Sequence, residues 1–312
     1  MSSSYSKPTT IAKVNDAILG CFSAFPLSEF LDHLVRFLGT YGGSDKLFAV
    51  VEYIFKVAIP LLNKRAELQK RAGLRKVAIS ATATRFSKLA SLISDSRTLW
   101  RFWGLFTIIR WMISLERNSQ PTRNLLNIER LQGWSMLGYY PLEHLSYLVS
   151  HDVLPSKSTV NLSPFLAKKQ NIHLNSGSLG VWSVRCWAFY VALQFAHLRE
   201  DRKLLQAKYR SLRKIGLKPA EMQELRQQWD AYWSGLVVNM ANFPLALHWS
   251  MGSTLIKNDF TVTFLNLIVA VISFRSGWKA TALPSSPTSP VQQQPEEIVE
   301  PVGAEKSVAY DV

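Results

Sequence analysis

Few residues in this chain are typed and spaced for covalent chemistry. The stretch "EHLSYLVSHD" puts Glu143, His144, His151 and Asp152 close together, and carboxylates with imidazoles can hold a metal or pass a proton. The two histidines lie seven positions apart beside a polar break, which is helix-end solvation rather than a ligand pair. His33, His173, His197 and His248 are scattered and complete no metal-binding spacing. Cys21 and Cys186 are far apart, and Cys186 sits in an apolar run without a nearby base, so neither a disulfide nor a reactive thiol is expected. No glycine-rich loop is spaced to cradle a phosphate. The expectation is a chain with no catalytic residue, no metal and no cofactor, hence not an enzyme.

The chemistry on offer is that of a surface. In "ISATATRFSKLASLI", residues 79–93, apolar positions recur every three or four residues. At about 100° per residue, Ile79, Ala83, Phe86, Leu89, Ala90 and Ile93 fall within an arc of roughly 120°. The other side is Ser80, Thr84, Ser87 and Ser91, with Arg85 and Lys88 at its edges and Arg75 and Lys76 just ahead. That is the composition of a helix lying in a bilayer interface. The same stripe would serve to face a helical core, so the surrounding charge decides. Residues 56–110 hold twelve bases and two acids, within a net charge of +14. Such a balance predicts an anionic partner, and the absence of any recognition motif makes it phospholipid membrane rather than nucleic acid. Burying Ile79, Phe86, Leu89 and Ile93 is worth at most roughly 6–12 kcal/mol gross. Each base near an anionic leaflet adds about 1 kcal/mol. Ordering the segment opposes both, so binding should depend on lipid charge and curvature.

The elements around this stretch read as helices throughout. Residues 1–15 are polar and expected to be flexible, and 16–151 form an amphipathic N-terminal region. Within it "GTYGGS" breaks one helix and Ser44 and Asp45 start the next, with Pro60 and Pro141 as interruptions. Gly39 and Gly43 form a GxxxG, but in a polar turn where a dimer face gains nothing. Residues 152–178, rich in Ser, Asn and Pro, read as a linker. Residues 179–283 carry the most apolar runs, and the acidic tail 284–312 has the composition of a disordered segment. "FTVTFLNLIVAVISF", 260–274, is the best candidate to span a bilayer, flanked by Lys257 and Asp259 before and Arg275 and Lys279 after. Arg110 and Arg185 interrupt other apolar runs and leave a solute channel as the rival function. The fold class expected is all-α, membrane-associated, with one to three inserted C-terminal helices.

The ordered segments also carry a resemblance. "NMANFPLALHWSMGSTLIKNDFTVTFLNLIVAVISFRSGWKATA" at 239–282 resembles the C-terminal end of the peroxin-11 family of peroxisomal membrane proteins. "SDKLFAVVEY" at 44–53 is similar to that family's first helical motif, and "ERLQGWSMLGYYPLEHLSYL" and "SVRCWAFYVALQ" to its middle segments. The likeness covers most of residues 25–282 and reads closest to a fungal branch. It implies a protein that elongates the peroxisomal membrane through a basic amphipathic helix, controls organelle number, self-associates into homo-oligomers and promotes recruitment of a dynamin-type GTPase and its adaptor for fission. By position the remodelling helix is Arg75–Ile93, and the first-motif residues are Asp45, Lys46 and Tyr53. Ala49 and Glu52 depart from the Arg and Gln that many members have there.

Overall fold

Apolar residues spaced three and four apart, begun by short polar caps, specify helices along nearly the whole chain. The computed structural model describes residues 10–24, 26, 28–74, 76–118, 120–161, 169–216 and 218–282. Among them the helices are α1 (Thr10–Leu19), α2 (Glu29–Leu38), α3 (Tyr41–Arg71), α4 (Ala81–Trp100), α5 (Gly104–Arg117), α6 (Arg123–Ser150), α7 (Ser176–Ile215), α8 (Pro219–Ser250) and α9 (Asp259–Ala280). Short 3-10 turns lie at Cys21–Ala24 and Arg101–Trp103. The fold is all-α apart from one antiparallel ribbon, β1 (Lys157–Asn161) with β2 (Lys169–His173), inside the segment expected as a linker. Arg75 and the acidic tail lie outside the described residues. Ser28, Thr40, Ser80, Thr122, Asn175 and Asn258 each accept a backbone N–H at a helix start.

The helices form a ring, each packed on the next: α4 on α3, α3 on α9, α9 on α8, α8 on α7, α7 on α6, with α4 also reaching α6. Cross-contacts show neighbours running antiparallel. Along α3 and α4, Asp45 meets Arg97 while Asn63 meets Ser80. Along α6 and α7, Ser146 bonds Ser176, Ser135 bonds Cys186 and Gln132 meets His197. Asp230 of α8 meets Lys279 of α9, and the ring of His248 accepts from the Ile256 N–H to close the intervening turn. The apolar core sits at one side, where Ile108, Met136, Tyr140, Tyr190, Val191 and Ala246 pack together.

Several boundaries differ from the sequence expectation for physical reasons. Thr40, not Ser44, caps α3, because its hydroxyl accepts from Gly43 N at 3.0 Å. Pro60 and Pro141 do not interrupt: α3 and α6 continue through them. A proline inside a helix costs about 3 kcal/mol, and packing of α3 on both α4 and α9 offsets it. Helix α1 begins at Thr10, within the segment expected to be flexible. Ser80 caps α4, so Ile79 precedes the helix instead of lying on its stripe.

Among the described residues one helix, α9, is long and apolar enough to cross a membrane. Little of it is covered by the rest of the chain; Phe260, Phe264 and Val271 are exposed. Helix α8 carries an outward stripe of its own, which the residue after its end continues: Trp233, Val237, Met240, Leu247 and then Met251 are exposed. At 1.5 Å per residue that stripe runs about 27 Å. Its inward side holds the buried Asn239 and His248, which is why the segment does not read as uniformly apolar.

Candidate functional site

Helix α4 divides the apolar stripe between two environments. Ala83 and Ala90 are buried, and Phe86 packs at a tilt of 34° on Phe55 of α3 with ring centroids 4.7 Å apart. Ile93 is half-buried on the same side. Leu89 stays 44% exposed, with Leu92 and Leu99 further along the outer face and Arg85 and Lys88 exposed beside them. The turn before α4 exposes Leu74, Lys76, Val77 and Ile79, and the end of α3 exposes Lys64, Arg65, Leu68, Lys70 and Arg71. The hairpin end is therefore basic and leucine-bearing, while the Phe86 side meets α3.

The inner ends of the same two helices are joined by charge. Arg97 donates through Nε to Asp45 Oδ1 at 2.8 Å, through Nη2 to Asp45 Oδ2 at 3.3 Å and through Nη1 to Glu52 Oε2 at 2.6 Å. Glu52 is 1% exposed and also receives Lys56 at 2.5 Å. One turn on, Arg101 donates to Tyr139 at 2.9 Å and to Glu143, and Tyr139 donates to Glu143 Oε1 at 2.7 Å. Burial works against the charge of Arg97, yet the hydrogen bonds and charges of Asp45 and Glu52 hold it firmly protonated. Burial pushes the Tyr41 and Tyr139 phenols well above their usual range, so both stay neutral.

Asp45 and Tyr53, named from the first motif, line a cavity of about 440 Å³ together with Tyr41, Arg97, Arg101 and Glu143. Lys46 also lines it, its Nζ passing Gly277 of α9 so closely that a Cβ there would stand 3.0 Å away. The structure thus joins Asp45, Lys46 and Tyr53 at one place and leaves the residues from Lys76 to Leu89 at another. Arg97 and Arg101 were not among the sequence candidates, Glu52 was named only as a departure from the first motif, and Glu143, read as helix-end solvation, instead lies inside α6 and faces Arg101 and Tyr139. A signal for the first existed: Ala83, Phe86, Ala90 and Ile93 are followed at the next stripe position by Arg97, and Asp45 and Glu52 share one face of α3. Gly39 and Gly43 serve the α2–α3 corner.

A family model for peroxisomal biogenesis factor 11 (PEX11) matches residues 31–278, the span from α2 to the end of α9. The chain belongs to the PEX11 family. Neither the curated proteins nor the solved structures contain a match to it. PEX11 membership assigns a role in peroxisome biogenesis and proliferation, and the family is not one of enzymes. The match is to PEX11 as a whole and does not single out its fungal branch.

The histidines take structural places in this PEX11 chain. His144 and His151 each bond the backbone carbonyl one turn back, of Tyr140 and Tyr147. His197 is buried between Gln132, at 3.3 Å, and Asp201, at 3.3 Å, with Glu129 3.9 Å away. Burial raises the Glu129 carboxyl above its ordinary range, His197 pulling it down and Asp201 pushing it up. A raised folded value means that stability is complete below the ordinary carboxylate range and falls as pH rises through the folded value. Glu129→Gln should therefore melt higher than the parent at about pH 8 and equal it near pH 4. Thermal melts at both pH values check this, and a variant that is no more stable at the higher pH contradicts it.

Proposed function

We propose that the chain is a peroxisomal membrane protein that binds and deforms the bilayer through the basic α3–α4 hairpin, promoting elongation, fission and control of peroxisome number. The observation that carries this reading is the outer face of α4. Leu89, Leu92 and Leu99 are exposed at helical spacing, Arg85 and Lys88 flank them, and the preceding turn adds exposed Lys76, Val77 and Ile79. Inserting the three leucines is worth roughly 5–9 kcal/mol gross, and each nearby base about 1 kcal/mol more on an anionic leaflet. Helix α9 anchors the chain, with Lys257 before it and Arg275 and Lys279 at its end, and the outward stripe of α8 lies beside it against hydrocarbon. Homo-oligomers of this unit would array the hairpins along a tubule and offer a platform to a dynamin-type GTPase and its adaptor. Solute conduction has less support. Arg110 and Arg185 both lie on the exterior, and Arg185 stacks over Trp182 at 4.8 Å instead of facing a path.

The test uses the full chain reconstituted into anionic vesicles. The parent should tubulate them. Leu89→Glu with Leu92→Glu should abolish tubulation while helicity and resistance to alkaline extraction stay unchanged, since both side chains point away from α3. Tubules formed as readily by the double variant would overturn the reading.

A further inference from the structure

The central cavity holds polar atoms that the protein itself leaves unused. Glu143 accepts through Oε1, but its buried Oε2 has no hydrogen-bond partner. The buried Tyr41 hydroxyl has none either. Both line the same cavity of about 440 Å³, to which six helices contribute. Arg101 engages Tyr139 and Glu143 through Nη1, which leaves the donors of Nε and Nη2. Trp187 and Trp249, 5.9 Å apart, supply an aromatic wall. An unused carboxylate oxygen in a cavity that two tryptophans also line selects a cation that can donate a hydrogen bond. The unused Tyr41 phenol and the remaining donors of the Arg101 guanidinium select an acceptor that carries negative charge. The volume lies in the range that holds a small ligand.

We propose that this cavity is a binding site for a phosphoethanolamine group, its ammonium donating to Glu143 Oε2 and its phosphate accepting from Tyr41 and Arg101. A primary ammonium is required because the quaternary ammonium of choline has no N–H to give the orphaned oxygen. The phosphoethanolamine comes either from a phospholipid headgroup or from the free phosphorylated amine. The site does not rest on the hairpin deforming membranes: the vesicle assay reads Leu89 and Leu92 on the exposed face of α4, whereas α4 meets the cavity through Arg97 on its inward face.

The experiment titrates the detergent-solubilised full chain with short-chain phosphatidylethanolamine, short-chain phosphatidylcholine and free phosphoethanolamine. Bound mass is read by native mass spectrometry, and affinity by the ligand-induced thermal shift. One ethanolamine-bearing ligand should bind per chain, more tightly than its choline counterpart. Preference for the lipid assigns the headgroup as the source, and equal binding of the free compound assigns the soluble amine. Tyr41→Phe removes a hydroxyl that bonds nothing in the protein, so the fold is kept while affinity falls roughly fivefold, the worth of one hydrogen bond. Glu143→Gln keeps an acceptor for Tyr139 and should erase the preference for ethanolamine over choline. Absence of saturable binding, or binding indifferent both to the headgroup amine and to these two substitutions, overturns the site.

Discussion

Arg97→Met is expected to destabilise the chain by about 3 kcal/mol, the low end of what breaking a buried ion pair costs. The argument turns on what is left behind. Glu52 is 1% exposed, and without Arg97 its Oε2 faces neither water nor a donor. Lys56 still holds Oε1, and the Asp45 carboxylate, whose side chain is 25% exposed, can recover part of its hydration. Those two circumstances keep the loss from reaching the roughly 5 kcal/mol of a fully stranded charge. The companion variant Arg97→Met with Glu52→Gln removes the stranded charge and should recover most of the loss. Denaturant unfolding in detergent measures both, and hydrogen exchange locates the effect: amides of α4 should exchange faster in the single variant than in the pair. A single variant within about 1 kcal/mol of the parent would show that the ion pair adds no more than a surface bridge does.

The same pair shows how far the sequence can be read. Helical class and α9 as the apolar span follow from local spacing, whereas the cap at Asn175 is missed because residues 152–178 read as a linker. The partner of a charged residue does not. Arg97 and Asp45 are 52 positions apart, and only the antiparallel docking of α4 on α3 brings them within 2.8 Å. What α4 turns outward was hidden for a related reason. A stripe of about 120° has two flanks, and periodicity alone does not say which meets another helix and which meets lipid. The small Ala83 and Ala90 let α3 approach closely, so the Phe86 flank went inward and the leucine flank stayed out. The prolines misled because a break signal is a local cost, and a helix of 31 residues packed on two neighbours outweighs it.

Gly43→Ala should undock α2 although alanine is the better helix former by about 1 kcal/mol. Gly43 is buried in the first turn of α3, where a Cβ would stand 2.0 Å from the backbone carbonyl oxygen of Phe37 and 2.7 Å from Thr40 Oγ1. No rotamer change relieves a collision with main chain, so the corner between α2 and α3 must open. Overpacking of this kind costs up to about 3 kcal/mol and outweighs the gain in propensity. The consequence reaches α9, since α2 is fastened there by side chains. His33 Nε2 lies 3.0 Å from the Trp278 carbonyl with its ring 3.8 Å from the indole, Arg36 Nε donates to the Thr281 carbonyl at 2.8 Å, and Phe37 meets Phe274 edge-on. Limited proteolysis should cut the variant near residues 25–40 at protease levels that leave the parent whole. Gly39→Ala is the informative control: a Cβ there would meet the Val35 carbonyl oxygen at 3.1 Å and that of Arg36 at 3.6 Å, so a give of a few tenths of an ångström suffices and α2 should stay docked. If both variants resist cleavage as the parent does, the close approach at Gly43 is not what sets the α2–α3 corner.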